Sequence, residues 1–319
     1  MRVGQNPAKF IQEVPQPARV TVATVVYIPL LSGYFEQSLD VLKICLNSIW
    51  DHTDESYDLM VFDNASCPEV RQYLLKMQEK GKIQYLLLSE ENIGKAGAWN
   101  VIFGAAPGEV IAYADSDVYY YPGWLTAQLD VLEKFPNVGM VTGIPMWSPA
   151  EFSTSTVQWA VNNPDAEIER GEFLTWEEHW RHARSLGGDE QKVREFFADV
   201  EDIRLTYQGE HYYVGAGHFQ FVGFKRAFQS VLPIPNERPM GQVRLLDVAI
   251  NEKGYLRLST PEWWVQHLGN RLSENGFNAR GALTNLKGRE RNRPRILHWQ
   301  LAEDFLYWIY HRIFEFLHR

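Results

Sequence analysis

The sequence contains little cysteine, no long apolar run and fewer basic than acidic residues, and each of these features argues against a class of protein. Cys45 and Cys67 are its only cysteines, too few for a disulfide framework or a cysteine-rich metal site. Without a spanning apolar run or the apolar core of a signal peptide, a cytoplasmic protein is expected. The formal net charge of -9 argues against a nucleic-acid partner.

Strand-like and helix-like segments alternate along the first half of the chain. Short β-branched or apolar runs predict strands, and apolar residues at helical spacing predict the helices between them. The predicted strands are 20–28, 57–62, 83–88, 110–114 and 139–143, and the predicted helices are 35–50, 69–80 and one that begins in the loop 92–100. This alternation indicates an α/β fold with a parallel sheet and right-handed crossovers.

A conventional dinucleotide-binding domain is not favoured, because the first strand ends at Pro29 and no G-x-G-x-x-G motif follows it. Polar side chains instead follow the next three strands: Asp63, the segment Asn92 to Lys95, and Asp115-Ser116-Asp117. The carboxyl ends of parallel strands form the crevice where such folds bind ligands. Carboxylates there suit Mg²⁺ or Mn²⁺ carried in with a diphosphate, although an acidic turn is the simpler alternative.

The ordered set Asp63, Asn92-x-Gly94 and Asp115-x-Asp117 resembles the nucleotide-binding half of GT-A glycosyltransferases, especially the inverting family 2. The resemblance implies a Rossmann-like nucleotide-binding sheet fused to an acceptor-binding part, and a nucleoside-diphosphate sugar donor. It implies nucleobase recognition by Asp63 and metal ligation by Asp117. The other implied donor contacts are Tyr27, Pro29, Asn92, Lys95, Asp115 and Ser116, with Asp115 also approaching the metal.

Two residues of the second half complete the resemblance. Asp247 lies in an apolar helical segment ending at Gly254, and His267 follows the next predicted strand. In family 2 this order implies Asp247 as the general base and His267 as a third ligand of Mn²⁺ or Mg²⁺. Alternatively, Asp247 pairs with a cation such as Arg244 or Arg257 to hold the helix in place.

Three further residues are candidates for the acceptor site. Trp147 could stack on a sugar face, although a core tryptophan is the alternative. His218 and Gln220 share one face if 212–224 is a strand, because residues two apart point the same way. A structural histidine is the alternative for His218.

From the resemblance, the chain is expected to divide into an irregular arm (1–18), a GT-A domain (19–275) and a C-terminal addition (276–319). The domain is expected to comprise a nucleotide-sugar half, 19–147, and an acceptor half, 148–275, with a helical insertion at 165–200. The addition carries a basic segment and a predicted amphipathic helix from Leu297 to Arg319. This helix could pack on its own core, on a second subunit or on the inner membrane face.

The sequence therefore predicts a metal-dependent transfer of a sugar, with inversion, to a hydroxyl of a carbohydrate or glycoconjugate in glycan or polysaccharide synthesis. A nucleotidyltransferase is one alternative, but the loop 29–34 has no Lys or Arg to hold a triphosphate. A non-catalytic carbohydrate- or nucleotide-binding protein is the other.

Overall fold

The computed structural model describes residues 3–238 and 242–272. Its strands are β1 (Val20–Val26), β2 (Tyr57–Asn64), β3 (Tyr85–Ser89), β4 (Val110–Asp115), β5 (Val118–Tyr120), β6 (Val138–Thr142), β7 (Ala166–Gly171), β8 (Asp202–Tyr207), β9 (Glu210–Val214), β10 (Gln220–Phe224), β11 (Leu256–Ser259) and β12 (Val265–His267). Its α-helices are α1 (Ser38–His52), α2 (Pro68–Glu79), α3 (Gly94–Ala105), α4 (Trp124–Lys134), α5 (Thr154–Asn162), α6 (Trp176–Ser185), α7 (Glu190–Phe197), α8 (Lys225–Gln229) and α9 (Arg244–Glu252). The predicted basic segment and C-terminal helix lie outside the described residues.

A mixed sheet of ten strands, in the order β3-β2-β1-β4-β10-β6-β11-β9-β8-β7, forms the centre of the fold. The first four strands are mutually parallel, as predicted from the alternation of strands and helices. Strand β10 runs antiparallel to both β4 and β6, and β11 runs parallel to β6. The α/β class expected from the sequence is confirmed, with a parallel half and a mixed half.

The alternation of side chains along β1 explains how this sheet is buried. Val20, Val22 and Val26 contribute to an apolar cluster on one face, whereas Ala23 contributes to a second cluster on the other face. The second cluster includes Trp99 of α3, which is fully buried. A central strand covered on both faces needs apolar residues at nearly every position, which is why β1 reads as a continuous β-branched run.

The structure corrects two assignments in the second half. A helical insertion is expected at 165–200, but β7 occupies Ala166–Gly171 and pairs antiparallel with β8, which leaves α6 and α7 as the helices of the insertion. Residues 212–224 were expected to form one strand, but β9 ends at Val214 and β10 begins at Gln220. The turn between them removes the alternation that placed His218 and Gln220 on one face.

Strand pairing determines which polar residues meet at the edge of the sheet. Val26 and Val25 of β1 lie opposite Asp63 of β2 and Asp115 of β4, respectively. In a separate two-stranded sheet, β12 pairs with β5, and His267 lies opposite Val118. These registers place Asp63 and Asp115 at the carboxyl ends of the two strands that flank β1, and His267 beside the strand that follows Asp117. Within residues 3–238 and 242–272, no helix combines the length and apolarity needed to cross a membrane.

Candidate active site

Asp115, the last residue of β4, is held by an ion pair and a hydrogen bond. Lys95 Nζ lies 2.6 Å from its Oδ1 and 2.7 Å from its Oδ2, and the Tyr113 hydroxyl donates to Oδ1 at 2.7 Å. Burial, with the nearby Asp115 charge, raises the pKa of Tyr113 well above its usual value, so this hydroxyl remains a donor. The first turn of α3 therefore places Lys95 at the end of β4, where the lysine balances the charge of Asp115.

Asp117 and His267 face each other across the junction of β5 and β12. The Leu268 N–H donates to the Asp117 carbonyl at 2.7 Å, and His267 Nε2 lies 3.3 Å from Asp117 Oδ2. Asp117 Oδ1 is buried and makes no hydrogen bond within the described residues. Burial raises the pKa of Asp117, and the neighbouring His267 opposes that rise. The result is a carboxylate with an unused oxygen beside an imidazole nitrogen.

The Asp117 and His267 pair fits a small divalent cation. Two ligands at right angles on an octahedral ion, each ~2.1 Å from it, are about 3.0 Å apart, close to the 3.3 Å observed between Nε2 and Oδ2. The unpartnered Asp117 Oδ1 leaves a further oxygen free. Mg²⁺ and related ions commonly take only one or two protein ligands and complete their shell with substrate phosphates and water.

Asp115 does not form a three-ligand cluster with Asp117 and His267 in the described structure. Among residues 3–238 and 242–272, no set of three His, Cys, Asp or Glu side chains is arranged to hold a metal ion. Both Asp115 oxygens are already in contact with Lys95. Direct ligation by Asp115 thus stays a prediction, whereas the two-ligand arrangement has support in the geometry.

Helix α6 covers the far side of His267. Ser185 Oγ lies 3.1 Å from His267 Nδ1 and also donates to the His182 carbonyl at 2.6 Å. The His182 ring lies against Phe219, with the ring centroids 4.8 Å apart. Burial is the main cause that lowers the pKa of His182 to about 3, so its imidazole is neutral near pH 7. The insertion therefore contributes polar groups directly to the site.

Asp247, on α9, is buried and paired. Its Oδ1 lies 2.8 Å from Arg257 Nη2, and its Oδ2 lies 3.3 Å from His218 Nδ1. Arg257 is fully buried and also donates to the Phe152 carbonyl at 2.6 Å. Burial lowers the pKa of Arg257, while Asp247 raises it. Of the two cations considered from the sequence, Arg257 is the partner, and Arg244 forms no ion pair with Asp247 in the described structure.

Asp63 is also fully buried and engaged by the chain itself. Its Oδ2 accepts from Arg71 Nε at 2.9 Å, and its Oδ1 accepts from the Ser66 N–H at 3.2 Å. Arg71 additionally donates to the Ser89 carbonyl at the end of β3. A nucleobase could contact this carboxylate only after a local rearrangement, so the recognition role of Asp63 stays a prediction.

A pocket of ≈ 670 Å³ is lined by about half of the site residues predicted from the sequence. This volume is typical of small-molecule sites. Of the residues predicted from the sequence, its lining contains Lys95, Asp115, Asp117, Trp147, His218, Asp247 and His267. It does not contain Tyr27, Pro29, Asp63, Asn92, Ser116 or Gln220. The Asp117 and His267 pair and Asp247 thus share one cavity, while several predicted nucleotide contacts lie outside its lining.

Gln220 lies in the protein interior and not in the predicted acceptor site. Its side chain is fully buried, its Oε1 accepts from the Gly143 N–H at 2.9 Å, and its Nε2 donates to Gln128 Oε1 at 2.8 Å. It therefore belongs to the interior and is not exposed to an acceptor. Trp147, in contrast, lines the pocket and packs edge-on against Phe196 and Phe197, with centroids 5.3 and 5.9 Å away.

The remaining predicted donor residues lie around the strand ends. Asn92 is exposed, and its Oδ1 accepts from the Gly94 N–H at 2.8 Å and from Asn64 Nδ2 at 2.9 Å. Tyr27 is exposed and packs edge-on against Phe35, with centroids 6.2 Å apart. Pro29 and Ser116 are partly buried. The Asn92 contacts shape the entrance of α3, which carries Lys95.

Sequence reasoning missed Ser185 and His182 of α6 as site residues. Ser185 contacts a histidine 82 residues further along the chain. The only local signal was an amphipathic helical pattern in a charged segment, which does not single out either residue. Their placement depends on how the insertion docks, which no pattern in the sequence indicates.

One family model and several known proteins are similar to this chain. The family model described as Glycosyl transferase family 2 matches residues 33–197. An uncharacterized glycosyltransferase of Nostoc sp. (strain PCC 7120) is 28% identical over 100 residues, which are 31% of this chain and 31% of that relative.

Solved structures with lower similarity also align. They include a mannosyltransferase from Pyrobaculum calidifontis in complex with GDP-Man and Mn²⁺ (TM-score 0.45, 16% identity, 78% of this chain and 57% of that one). Another is the 1–349 fragment of TarS from S. aureus (TM-score 0.45, 13% identity, 77% of this chain and 59% of that one). The alignments thus span less than two thirds of each of these proteins.

Proposed function

Because the chain belongs to glycosyl transferase family 2, we propose that it transfers a sugar from a nucleoside-diphosphate donor to an acceptor hydroxyl, with inversion. The observation that carries this proposal is that Asp117, His267 and Asp247 line the same pocket. A displacement reaction needs a group to stabilise the leaving diphosphate and a base for the incoming hydroxyl. Both kinds of group are present in one cavity.

Asp117 and His267 would hold Mn²⁺ or Mg²⁺, with the donor diphosphate supplying further oxygen ligands. When bound, the ion supplies stabilisation of the negative charge on the departing diphosphate. Lys95 neutralises Asp115, which limits the repulsion between that carboxylate and an incoming anion. Asp115, Ser116, Asn92, Tyr27 and Pro29 are proposed donor contacts around the strand ends.

Asp247 is the proposed general base. Its carboxylate lines the pocket, 2.8 Å from the Arg257 guanidinium and 3.3 Å from His218 Nδ1. Asp247 would take the proton of the acceptor hydroxyl as that oxygen attacks the anomeric carbon. The transition state at that carbon is expected to be oxocarbenium-like, as in glycoside cleavage.

The acceptor is proposed to be a carbohydrate or glycoconjugate that enters between Trp147 and His218, both of which line the pocket. Tryptophan offers an apolar face and an N–H donor, a combination suited to the alternating apolar and hydroxyl surfaces of a sugar. His218 is within 3.3 Å of Asp247, so a hydroxyl near the base would also lie near this imidazole.

The proposal is tested by incubating the purified protein with a panel of nucleoside-diphosphate sugars, with and without Mn²⁺, and measuring the release of nucleoside diphosphate. Release that requires both the metal and one class of donor is expected. A parallel assay measures pyrophosphate from nucleoside triphosphates and sugar 1-phosphates. Pyrophosphate release alone would support a nucleotidyltransferase, and donor binding without turnover in either assay would support a binding protein. Donor binding itself is followed by thermal shift, since a ligand at ~100 times its Kd stabilises by about 2.7 kcal/mol.

Replacement of Asp63 is expected to weaken donor binding more than chemistry. In Asp63→Ala the donor KM should rise with little change in kcat, because the nucleobase contact is the same in ground and transition states. The variant also leaves Arg71 without its buried partner, so its melting temperature is measured on the same sample. Asp58→Ala is the matched control, because Asp58 lies at the other end of β2 and accepts from the Ala18 N–H at 2.9 Å. A fall in kcat at unchanged KM would contradict the recognition role.

A further inference from the structure

Helix α6 docks onto β12 through one face. Arg181 and Ser185 are four residues apart and therefore lie on the same side of the helix. Arg181 donates to Gln266 Oε1 at 2.6 Å and to the Tyr121 hydroxyl at 3.0 Å. One turn later, Ser185 contacts His267, the residue after Gln266. Two successive residues of β12 are thus held by two successive turns of α6.

The hydrogen bonds of Ser185 determine which nitrogen of His267 carries the proton. A serine hydroxyl has one proton to donate and two lone pairs to accept with. Its proton is used on the His182 carbonyl, 2.6 Å away, because a carbonyl oxygen can only accept. In the 3.1 Å contact with His267, Ser185 Oγ must therefore accept and Nδ1–H must donate. A neutral His267 consequently has its lone pair on Nε2.

This tautomer is the one that the metal pair requires. Nε2 is the nitrogen that lies 3.3 Å from Asp117 Oδ2. If Nδ1 lost its hydrogen-bond acceptor, the ring could populate the other tautomer, with a hydrogen on Nε2, or rotate away from Asp117. Groups that accept from the second nitrogen of a ligating histidine fix its tautomer and orientation. Ser185 occupies that place, and a helix of the insertion supplies it.

We propose that Ser185 is a positioning residue of the active site, which holds His267 in the Nδ1–H tautomer so that Nε2 can ligate the divalent ion. This inference rests on the proposed function of Asp117 and His267. It assigns to the insertion a part in building the metal site, in addition to covering the pocket. Ser185 itself touches neither metal nor donor in this scheme, and acts only through His267.

The first test measures Mn²⁺ binding by electron paramagnetic resonance, with a nucleoside diphosphate present, in the full chain. Ser185→Ala should weaken Mn²⁺ binding by ~10–100-fold, the usual effect of losing such a partner. Ser185→Cys should also weaken it, because a thiol of similar size is a weak acceptor. Ser185→Thr keeps the hydroxyl and should restore most of the affinity. Ser230→Ala is the matched control, since Ser230, directly after α8, donates to the Ala227 carbonyl at 2.7 Å in the same manner but does not line the pocket.

The second test reads the tautomer directly, from the ¹⁵N shifts of the His267 ring in a metal-free Asp117→Ala background at a pH where the ring is neutral. This background removes the Asp117 carboxylate, which would itself accept from an Nε2–H at 3.3 Å. The Nδ1–H form should dominate in this background and with Ser185→Thr added, and should lose population with Ser185→Ala added. Wild-type Mn²⁺ affinity of Ser185→Ala, together with an unchanged tautomer when it is added to this background, would overturn the positioning role alone. Failure of the wild type to bind Mn²⁺ with any nucleoside diphosphate would instead overturn the proposed metal pair, and the positioning role with it.

Discussion

Asp117→Asn is expected to abolish Mn²⁺-dependent donor binding and to lower the transfer rate by at least ~10²–10³-fold, as for other losses of transition-state charge stabilisation. The change keeps the shape of the side chain and removes the charge that would face the ion. The measurements are Mn²⁺ affinity in the presence of a nucleoside diphosphate, and transfer or donor hydrolysis at saturating metal. Loss of both Mn²⁺ affinity and turnover is expected only if Asp117 ligates the ion or holds its ligands in place.

The stability of the same variant distinguishes a functional carboxylate from a structural one. Burial raises the pKa of Asp117 in the folded protein, and an acid with a raised folded pKa destabilises the folded state at pH values above that pKa. Removal of its charge should therefore leave the melting temperature at neutral pH unchanged or higher in the metal-free protein. Wild-type stability should likewise increase as the pH falls through the folded pKa.

Asp40→Asn is the control for this substitution, because Asp40 forms a partly exposed i,i+3 pair with Lys43 on α1 and does not line the pocket. Its effects on both metal binding and stability should be small, as is usual for pairs in contact with solvent. If Asp117→Asn bound Mn²⁺ and the diphosphate as the wild type does, Asp117 would not be a metal ligand. A marked loss of stability with retained binding would point to a structural carboxylate instead.

The parallel half of the sheet could be predicted because its strands have a strong local signal. A strand buried on both faces requires an apolar run such as Val20 to Val26, and the connecting helices show helical spacing of apolar residues. The position of Asp115 and Asp117 after β4 followed from the same pattern. Local sequence thus determined both the elements and the end of the sheet at which the candidate site lies.

The second half depended on contacts that no local pattern reveals. Strand β7 (AEIERG) has three charged residues among its six, two of them adjacent, so only its pairing with β8 distinguishes it from a charged helix. Strands β5 and β12 have three residues each, too few for a periodic signal, yet their pairing is what brings His267 to Asp117. The resemblance to family 2 suggested His267, whereas no such pattern pointed to Ser185.

The ion-pair partner of Asp247 likewise could not be identified from local sequence. The sequence indicated an acid in an apolar helix and left both a base and an ion-pair partner open, with two arginines as candidates. The fold selects Arg257 because β11 is a central strand whose fully buried arginine needs a counter-charge. A structural partner is therefore present, and the base assignment has to be tested against it.

Asp247→Asn is expected to lower turnover per folded molecule by ~10²–10⁴-fold, the usual contribution of a general base, while donor and Mn²⁺ binding persist. It should also lower stability, because loss of one partner of a buried ion pair costs about 3–5 kcal/mol. Low activity alone would therefore not separate the two roles. The assays are run well below the melting temperature of the variant, and the folded fraction is determined on the same sample.

Arg257→Gln removes the other half of the same ion pair and provides the comparison. If Asp247 serves only to neutralise Arg257, the two substitutions break one interaction and should reduce stability and turnover alike. If Asp247 also accepts the proton of the acceptor hydroxyl, both variants should lose comparable stability, but Asp247→Asn should lose far more turnover, since Arg257→Gln retains the carboxylate. Donor hydrolysis in water gives a second comparison, because a base that activates a hydroxyl also activates water. Equal turnover of the two variants, in transfer and in hydrolysis, would leave Asp247 as a structural carboxylate and would require another residue of the pocket to act as the base.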